Sequence, residues 1–177
     1  MEKEVSKPIF ELSTAQKRSD IYQTPLYAVV PLFKYVPVDW VIWEPACGNG
    51  NIVSAFKQNG YKVFGTDIIM GDDFLTDNSP RSWDCIITNP PFSLKTGFLE
   101  RACKYNKPFA FLMNLNSLET SRRQTVYKKY GLQLILLDKR VNFEIEGQET
   151  SASWFATAWF TFGLNLDSDI IYERIEK

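Results

Sequence analysis

The residues of this chain that could do chemistry fall in four short groups, and the sharpest is Asn89-Pro90-Pro91-Phe92. Two prolines directly after an apolar run remove two backbone donors and fix two φ angles, so the carbonyls of Asn89 and Pro90 are held rigidly. Two fixed acceptors beside one aromatic face suit a planar group that carries an NH2. The exocyclic amine of adenine is a poor nucleophile because its lone pair is delocalised into the ring. Accepting both of its hydrogens draws the nitrogen toward tetrahedral geometry and frees that lone pair. The developing positive charge then meets preorganised dipoles, the setting in which electrostatic catalysis operates. Phe92 supplies a stacking surface, a contact worth about 1–3 kcal/mol per base. The alternative for the same four residues is a strand terminator with a buried phenylalanine.

The other three groups suit a nucleoside ligand. In Glu44-Pro45-Ala46-Cys47-Gly48-Asn49-Gly50, two glycines after an apolar run let the backbone approach a ligand closely, and a helix N-terminus follows. Neither Gly-Lys-Ser/Thr nor GxGxxG is present, so no nucleotide fingerprint is met. An acid at this strand end repels a phosphate and suits an ammonium group. Asp67 lies seventeen residues beyond Gly50, where a carboxylate accepts the two hydroxyls of a ribose. Standing alone it would read as a helix cap or a loop acid. Asp73-Phe74 adds an acceptor for an adenine amino group and a ring to lie against its face; a turn former and a core residue are the plainer reading of that pair.

Composition removes other chemistries. The 177 residues contain no histidine and only three well-separated cysteines, Cys47, Cys85 and Cys103. A Cys/His zinc site, a disulfide framework and a Ser-His-Asp or Cys-His machine are therefore excluded, and no metal is expected. With 45% apolar and 23% charged residues the chain reads as one folded domain, able to bury roughly 70% of its unfolded surface. No apolar run approaches the roughly 20 residues of a membrane span, and no export signal is read, so a cytoplasmic protein is expected. The formal net charge is −1. Ten lysines and arginines against three acids nevertheless leave +7 across residues 89–140, balanced by −8 elsewhere. That asymmetry suits a phosphate-facing surface, with solvated helix faces as the alternative.

Strands and helices alternate so as to present these groups at one edge. A polar arm covers residues 1–19, and a single domain covers 20–177. Thr24-Pro25 starts a helix through Phe33, with proline at the first position and a stop near Pro37. Strands are expected at 41–45, 62–67, 73–75, 83–88, 109–113 and 132–138, and a seventh at 153–162 pairs antiparallel because no helix precedes it. A helix after Gly50 ends at Gly60. Another carries Leu94, Phe98, Leu99 and Ala102, and a capping box at Asn116 and Glu119 starts a third, to Tyr130. The fold class is α/β: a mostly parallel sheet covered on both faces, with ligands outside the carboxyl ends of its strands.

In this order, Thr24-Pro25, the Glu44 to Gly50 loop, Asp67-Ile68, Asp73-Phe74-Leu75 and Asn89-Pro90-Pro91-Phe92 resemble the S-adenosylmethionine-dependent N6-adenine DNA methyltransferases. Arg140-Val141-Asn142-Phe143 and the 152–162 hairpin are similar to small phage-type members. The resemblance implies the Rossmann-like class I methyltransferase fold, seven strands with the last antiparallel, and S-adenosyl-L-methionine as cofactor. By it, Thr24, Pro25 and Glu44 would hold the methionine end, with Ala46, Cys47, Gly48 and Gly50 packed against it. Asp67 would take the ribose, Ile68 the adenine, and Asp73 and Phe74 its amino group and ring. Asn89, Pro90, Pro91 and Phe92 would form the catalytic lip, with Phe143 supporting the base. Independently of the resemblance, the basic helices would grip the strand, Arg122 and Arg123 among their residues. The partner implied is nucleic acid, DNA ahead of RNA.

Two departures follow. Only 85 residues follow Phe92, leaving no separate target-recognition domain. Selectivity must come from short loops, the polar arm, a homodimer or a recognition partner, or be absent. The aromatic is Phe where Tyr is commoner, which keeps stacking and loses a hydroxyl. Rival readings are the same chemistry on an RNA adenine or a protein glutamine amide, and a non-catalytic nucleic-acid-binding scaffold. Phe92 tilts the first comparison toward adenine. Intact Glu44, Asp67 and Asn89 argue against the scaffold. Trp154 and Trp159 read equally as core or rim.

Overall fold

Continuous apolar runs flanked by turn residues form the parallel half of one sheet: β1 Val41–Glu44, β2 Lys62–Gly65, β3 Cys85–Thr88 and β4 Phe109–Asn114. The computed structural model describes residues 22–145, 148–149 and 155–177; the expected polar arm and Trp154 lie outside them. β5 Gln133–Leu137, β8 Thr157–Phe162 and β9 Ile170–Glu173 complete the sheet, while β6 Glu144–Ile145 and β7 Gln148–Glu149 form a separate hairpin. The strand order is β2-β1-β3-β4-β8-β5-β9. β8 runs antiparallel between β4 and β5, as expected, and every other pairing in this sheet is parallel.

Side-chain alternation along the strands divides the core. Ile42, Ile87, Ala110, Leu112, Ile135 and Trp159 face helix α1 Leu26–Val29 and helix α2 Asn51–Gln58, where they meet Ala28, Val29, Ile52, Ala55 and Phe56. Trp43, Ile86, Phe109, Phe111, Leu134 and Phe160 face α3 Lys95–Tyr105 and α4 Ser121–Tyr130, and meet Phe98, Leu99, Ala102 and Val126. Trp159 is fully buried, and its indole N–H donates to the Ala28 carbonyl at 2.8 Å, which places it in the core.

Three elements differ from expectation. Asp73–Leu75 is a hydrogen-bonded turn and not a strand: the Asp73 carboxylate accepts from Leu75 N, and the Asp73 carbonyl accepts from Thr76 and Asp77. Such a local side-chain bond offers the backbone an alternative to a ladder. The seventh strand is instead β9, parallel to β5 at the sheet edge. The third helix begins at Ser121; Asn116 sits in a 3-10 turn, Leu115–Leu118. Pro25 is the N-cap of α1, and from Val30 the chain continues as a 3-10 helix to Lys34, because Pro31 has no N–H for the α ladder.

Candidate active site

The carboxyl ends of β1, β2 and β3 surround a cavity of about 410 Å3, within the usual size range of small-molecule sites. Its floor is the loop after β1. Gly48 and Gly50 take φ of 47° and 82°, conformations that side chains with a Cβ rarely adopt, and this turns the chain sharply into α2. The Gln23 side chain lies over the loop, its Oε1 accepting from Asn49 N, and a Cβ on Gly48 would fall 2.6 Å from Gln23 Nε2.

Two acids tie this loop to its neighbours. Glu44, 2% exposed, accepts from Val53 N at 3.1 Å in the first turn of α2. Burial pushes its carboxyl well above the usual range, and the nearby Asp67 charge acts in the same direction, against the Val53 hydrogen bond. Asp67 accepts from Gly48 N at 2.8 Å and from Ile69 N at 3.0 Å, so it joins the glycine loop to the turn after β2. Burial, then the charges of Glu44 and Asp67, push the Cys47 thiol up to about 11, which keeps it protonated and unreactive near neutral pH.

Across the cavity stands Asn89. Its Nδ2 donates to the Tyr22 carbonyl at 3.4 Å, which fixes the orientation of the amide. Its Oδ1 is buried and has no hydrogen-bond partner among the described residues, and the same holds for Thr24 Oγ1. Buried acceptors in folded proteins are nearly always satisfied, and both of these residues line the cavity, where a ligand group would supply the missing partner. Phe92 is half-buried and packs edge-on against Phe155 at 5.4 Å and Phe143 at 6.1 Å.

The cavity thus gathers Thr24, Glu44, Ala46, Cys47, Gly48, Asp67, Ile68, Asn89 and Pro91. Pro25, Gly50, Pro90 and Phe92 flank it without lining it. Asp73 and Phe74 border a separate shallow recess with Trp43 and Thr66, and Phe74 itself is 3% exposed, packed on Phe98 at 4.6 Å. Phe143 is 2% exposed, inside the aromatic cluster. Arg122 lies on the surface, closed on Glu100 by two hydrogen bonds. Arg123 is buried, donating to the carbonyls of Ser117 and Asn116 and to Thr96 Oγ1. Tyr22, Gln23, Asn51, Ile69 and Leu94 also line the cavity. Asn51 was findable as the first residue of α2. Gln23 had no signal, because its place depends on main-chain bonds to Glu144.

Truncating Asp67 tests this wiring without any ligand. Asp67→Ala leaves Gly48 N and Ile69 N, both part-buried, without their acceptor; a fully buried unsatisfied group costs about 1–3 kcal/mol, and water reaching these two offsets part of that. Urea unfolding is expected to show a clear loss of stability, which a solvated loop acid would not give.

No family model matches the chain. A curated relative, the type II methyltransferase M.EcoRI of Escherichia coli, is 37% identical over 81 residues, which cover 41% of this chain and 25% of that protein. The chain therefore spans about a quarter of the length of that relative. A methyltransferase subunit of a type I restriction-modification system from Streptococcus thermophilus superposes with a TM-score of 0.59 at 13% identity, over 90% of this chain and 48% of that one. A Listeria monocytogenes structure described as a class I S-adenosylmethionine-dependent methyltransferase gives 0.60 at 16% identity, over 88% of this chain and 66% of that one. The fold is that of the class I methyltransferases. S-adenosylmethionine is the cofactor this class I fold implies. The site fits it: two acids face a space that an ammonium and a ribose diol would fill, Thr24 Oγ1 has no partner among the described residues, and the exposed Ile68 offers an apolar face to a purine.

Proposed function

We propose that this chain transfers a methyl group from S-adenosylmethionine to the N6 amine of adenine in DNA. The observation that carries the reading is Asn89 Oδ1, a buried, oriented and unpartnered acceptor that shares one cavity with Glu44 and Asp67. When bound, S-adenosylmethionine supplies a methyl group activated by a positively charged sulfur. Everything else falls to the chain. Asn89 Oδ1 and the Pro90 carbonyl accept the two amine hydrogens, and their dipoles stabilise positive charge as it develops on the nitrogen. Phe92, braced by Phe143 and Phe155, offers a ring for the extruded base to stack on. Thr24 and Glu44 hold the amino-acid end of the cofactor, and Asp67 accepts from the ribose hydroxyls with the lone pairs that Gly48 N and Ile69 N leave open. Arg123 plays an internal structural part, bracing the chain after β4.

The likeness to the type II methyltransferase M.EcoRI supports methyl transfer, and Phe92 favours an adenine over the other planar amines. Residues 20–177 act as the catalytic domain, with selectivity supplied by loops at the carboxyl edge, by residues 1–19, or by a second copy. The deciding assay incubates the protein with methyl-labelled S-adenosylmethionine and, separately, DNA, RNA or protein, then locates the label by nucleoside analysis. Label on N6-methyladenine in DNA is expected. Label in RNA or on a glutamine amide would overturn the substrate, and label in none would overturn the activity.

A further inference from the structure

Beside the cavity lies a second polar cluster with an unusual charge balance. Lys95, the first residue of α3, follows Leu94 of the cavity wall, and its Nζ donates to Asn114 Oδ1 at 2.9 Å. Ser117 Oγ donates to the same oxygen at 2.9 Å, while the Ser117 carbonyl accepts from Arg123 Nε at 2.7 Å. Arg123 also reaches Thr96 Oγ1 and the Asn116 carbonyl. Two cations are therefore linked through Asn114 and Ser117, and every partner they have among the described residues is neutral. The ion pairs among the described residues, Lys34 with Glu173 and Arg122 with Glu100, lie elsewhere. Burial and the charge of Arg123 hold the Lys95 ammonium below its ordinary value.

Three other basic residues of the 89–140 stretch bond to main-chain carbonyls outside the cavity lining. Arg101 is engaged by the carbonyls of Leu75 and Asp77, Lys107 by that of Trp83, and Lys139 by that of Ile175. At Lys95 the ammonium is half-withdrawn from water, near a second cation and without a carboxylate partner among the described residues, an arrangement that an incoming anion relieves. Its position narrows the anion. Asn114 ends β4, the strand paired with β3, and β3 leads into Asn89. Neighbouring strands are about 4.8 Å apart, and successive phosphates along one strand of DNA advance about 3.4 Å.

We infer that Lys95, held by Asn114 (itself fixed by Ser117) and reinforced by the field of Arg123, seats a backbone phosphate of the nucleic-acid strand within a nucleotide or two of the target base. This rests on the proposed function and adds to it the group that sets the strand's register. Lys95 makes the contact, and the buried Arg123 contributes charge alone.

The test compares equilibrium binding of duplex DNA by the full chain, with S-adenosylmethionine present, between about 50 and 200 mM salt. For Lys95→Gln the slope of log K against log salt is expected to be shallower by about 0.9, the value for one phosphate contact. Lys95→Arg is expected to restore it, and Lys128→Gln, exposed at the far end of α4, to leave it unchanged. Cofactor affinity equal to wild type certifies that each variant is folded. A wild-type slope in folded Lys95→Gln overturns the seat while leaving the methyl-transfer reading intact. A wild-type protein that neither binds nor methylates nucleic acid overturns that reading and the seat with it. Inorganic phosphate at matched ionic strength separates the sources: if it displaces DNA through Lys95 at low millimolar concentration, the site takes free phosphate and the strand assignment fails.

Discussion

Asn89→Ala is expected to lower the rate of methyl transfer by roughly 10²–10³-fold, the loss typical when one preorganised polar group is removed from a reacting centre. Cofactor affinity should stay within about twofold, because only interactions realised in the transition state are being removed. Among the described residues the side chain's one hydrogen bond is the 3.4 Å contact to the Tyr22 carbonyl, so truncation leaves the frame standing. Its Oδ1 has no hydrogen-bond partner among the described residues. A residue whose acceptor is buried, aimed and idle contributes to a bound group or to nothing. Single-turnover transfer of labelled methyl, read beside calorimetry of S-adenosylmethionine, separates the two. Full transfer by folded Asn89→Ala would remove the amide from the mechanism. Loss of cofactor binding would show instead that Asn89 shapes the cavity floor.

The parallel half of the sheet was legible because β1, β3 and β4 are nearly unbroken apolar runs, which only burial on both faces explains. The edge strand β9 was not. Its residues are alternately exposed and half-buried, and what holds it is distant: Glu173 accepts from Tyr35 Oη and pairs with Lys34. Asp73–Leu75 misled for the opposite reason, since one carboxylate bonding two residues on makes a turn from a segment that length and composition allow as a strand. The same division runs through the site. Glu44, Gly48, Asp67 and Asn89 could be found because each sits at the end of a strand that the sequence announces. Phe74 and Phe143 could not be separated from base-stacking rings, because an aromatic after a motif says nothing of which side is packed. Arg123 counted as surface charge until its three neutral partners were visible. Gln23 and Asn51 reach the cavity through contacts with Glu144, a residue remote in sequence.

Glu44→Gln is expected to move two measurements in opposite directions. Glu44 is buried beside Asp67, and both facts disfavour its ionised form, so in the folded protein it keeps a proton that the unfolded chain releases above its ordinary value of 4.5. Over that window the native state binds more protons than the unfolded one, and stability falls as pH rises from 4.5 through the raised value. Glutamine has no proton to lose, and its Oε can still accept from Val53 N, so the variant escapes this loss. Its thermal midpoint without cofactor should exceed that of wild type at about pH 8 and by less at about pH 5. Cofactor binding should respond in the other sense. An ammonium opposite Glu44 favours the carboxylate, lowers its pKa and expels the proton, whereas glutamine offers only a neutral acceptor. The loss of a charge-assisted bond is about 1.5–3 kcal/mol, and affinity should weaken by roughly ten- to a hundredfold at the same pH. Calorimetry of wild type in two buffers of different ionisation enthalpy should register the released proton, and the variant should register none. Equal affinity in the two proteins would place the ammonium away from Glu44, whereas equal stability at both pH values would deny that the acid is held out of water at all.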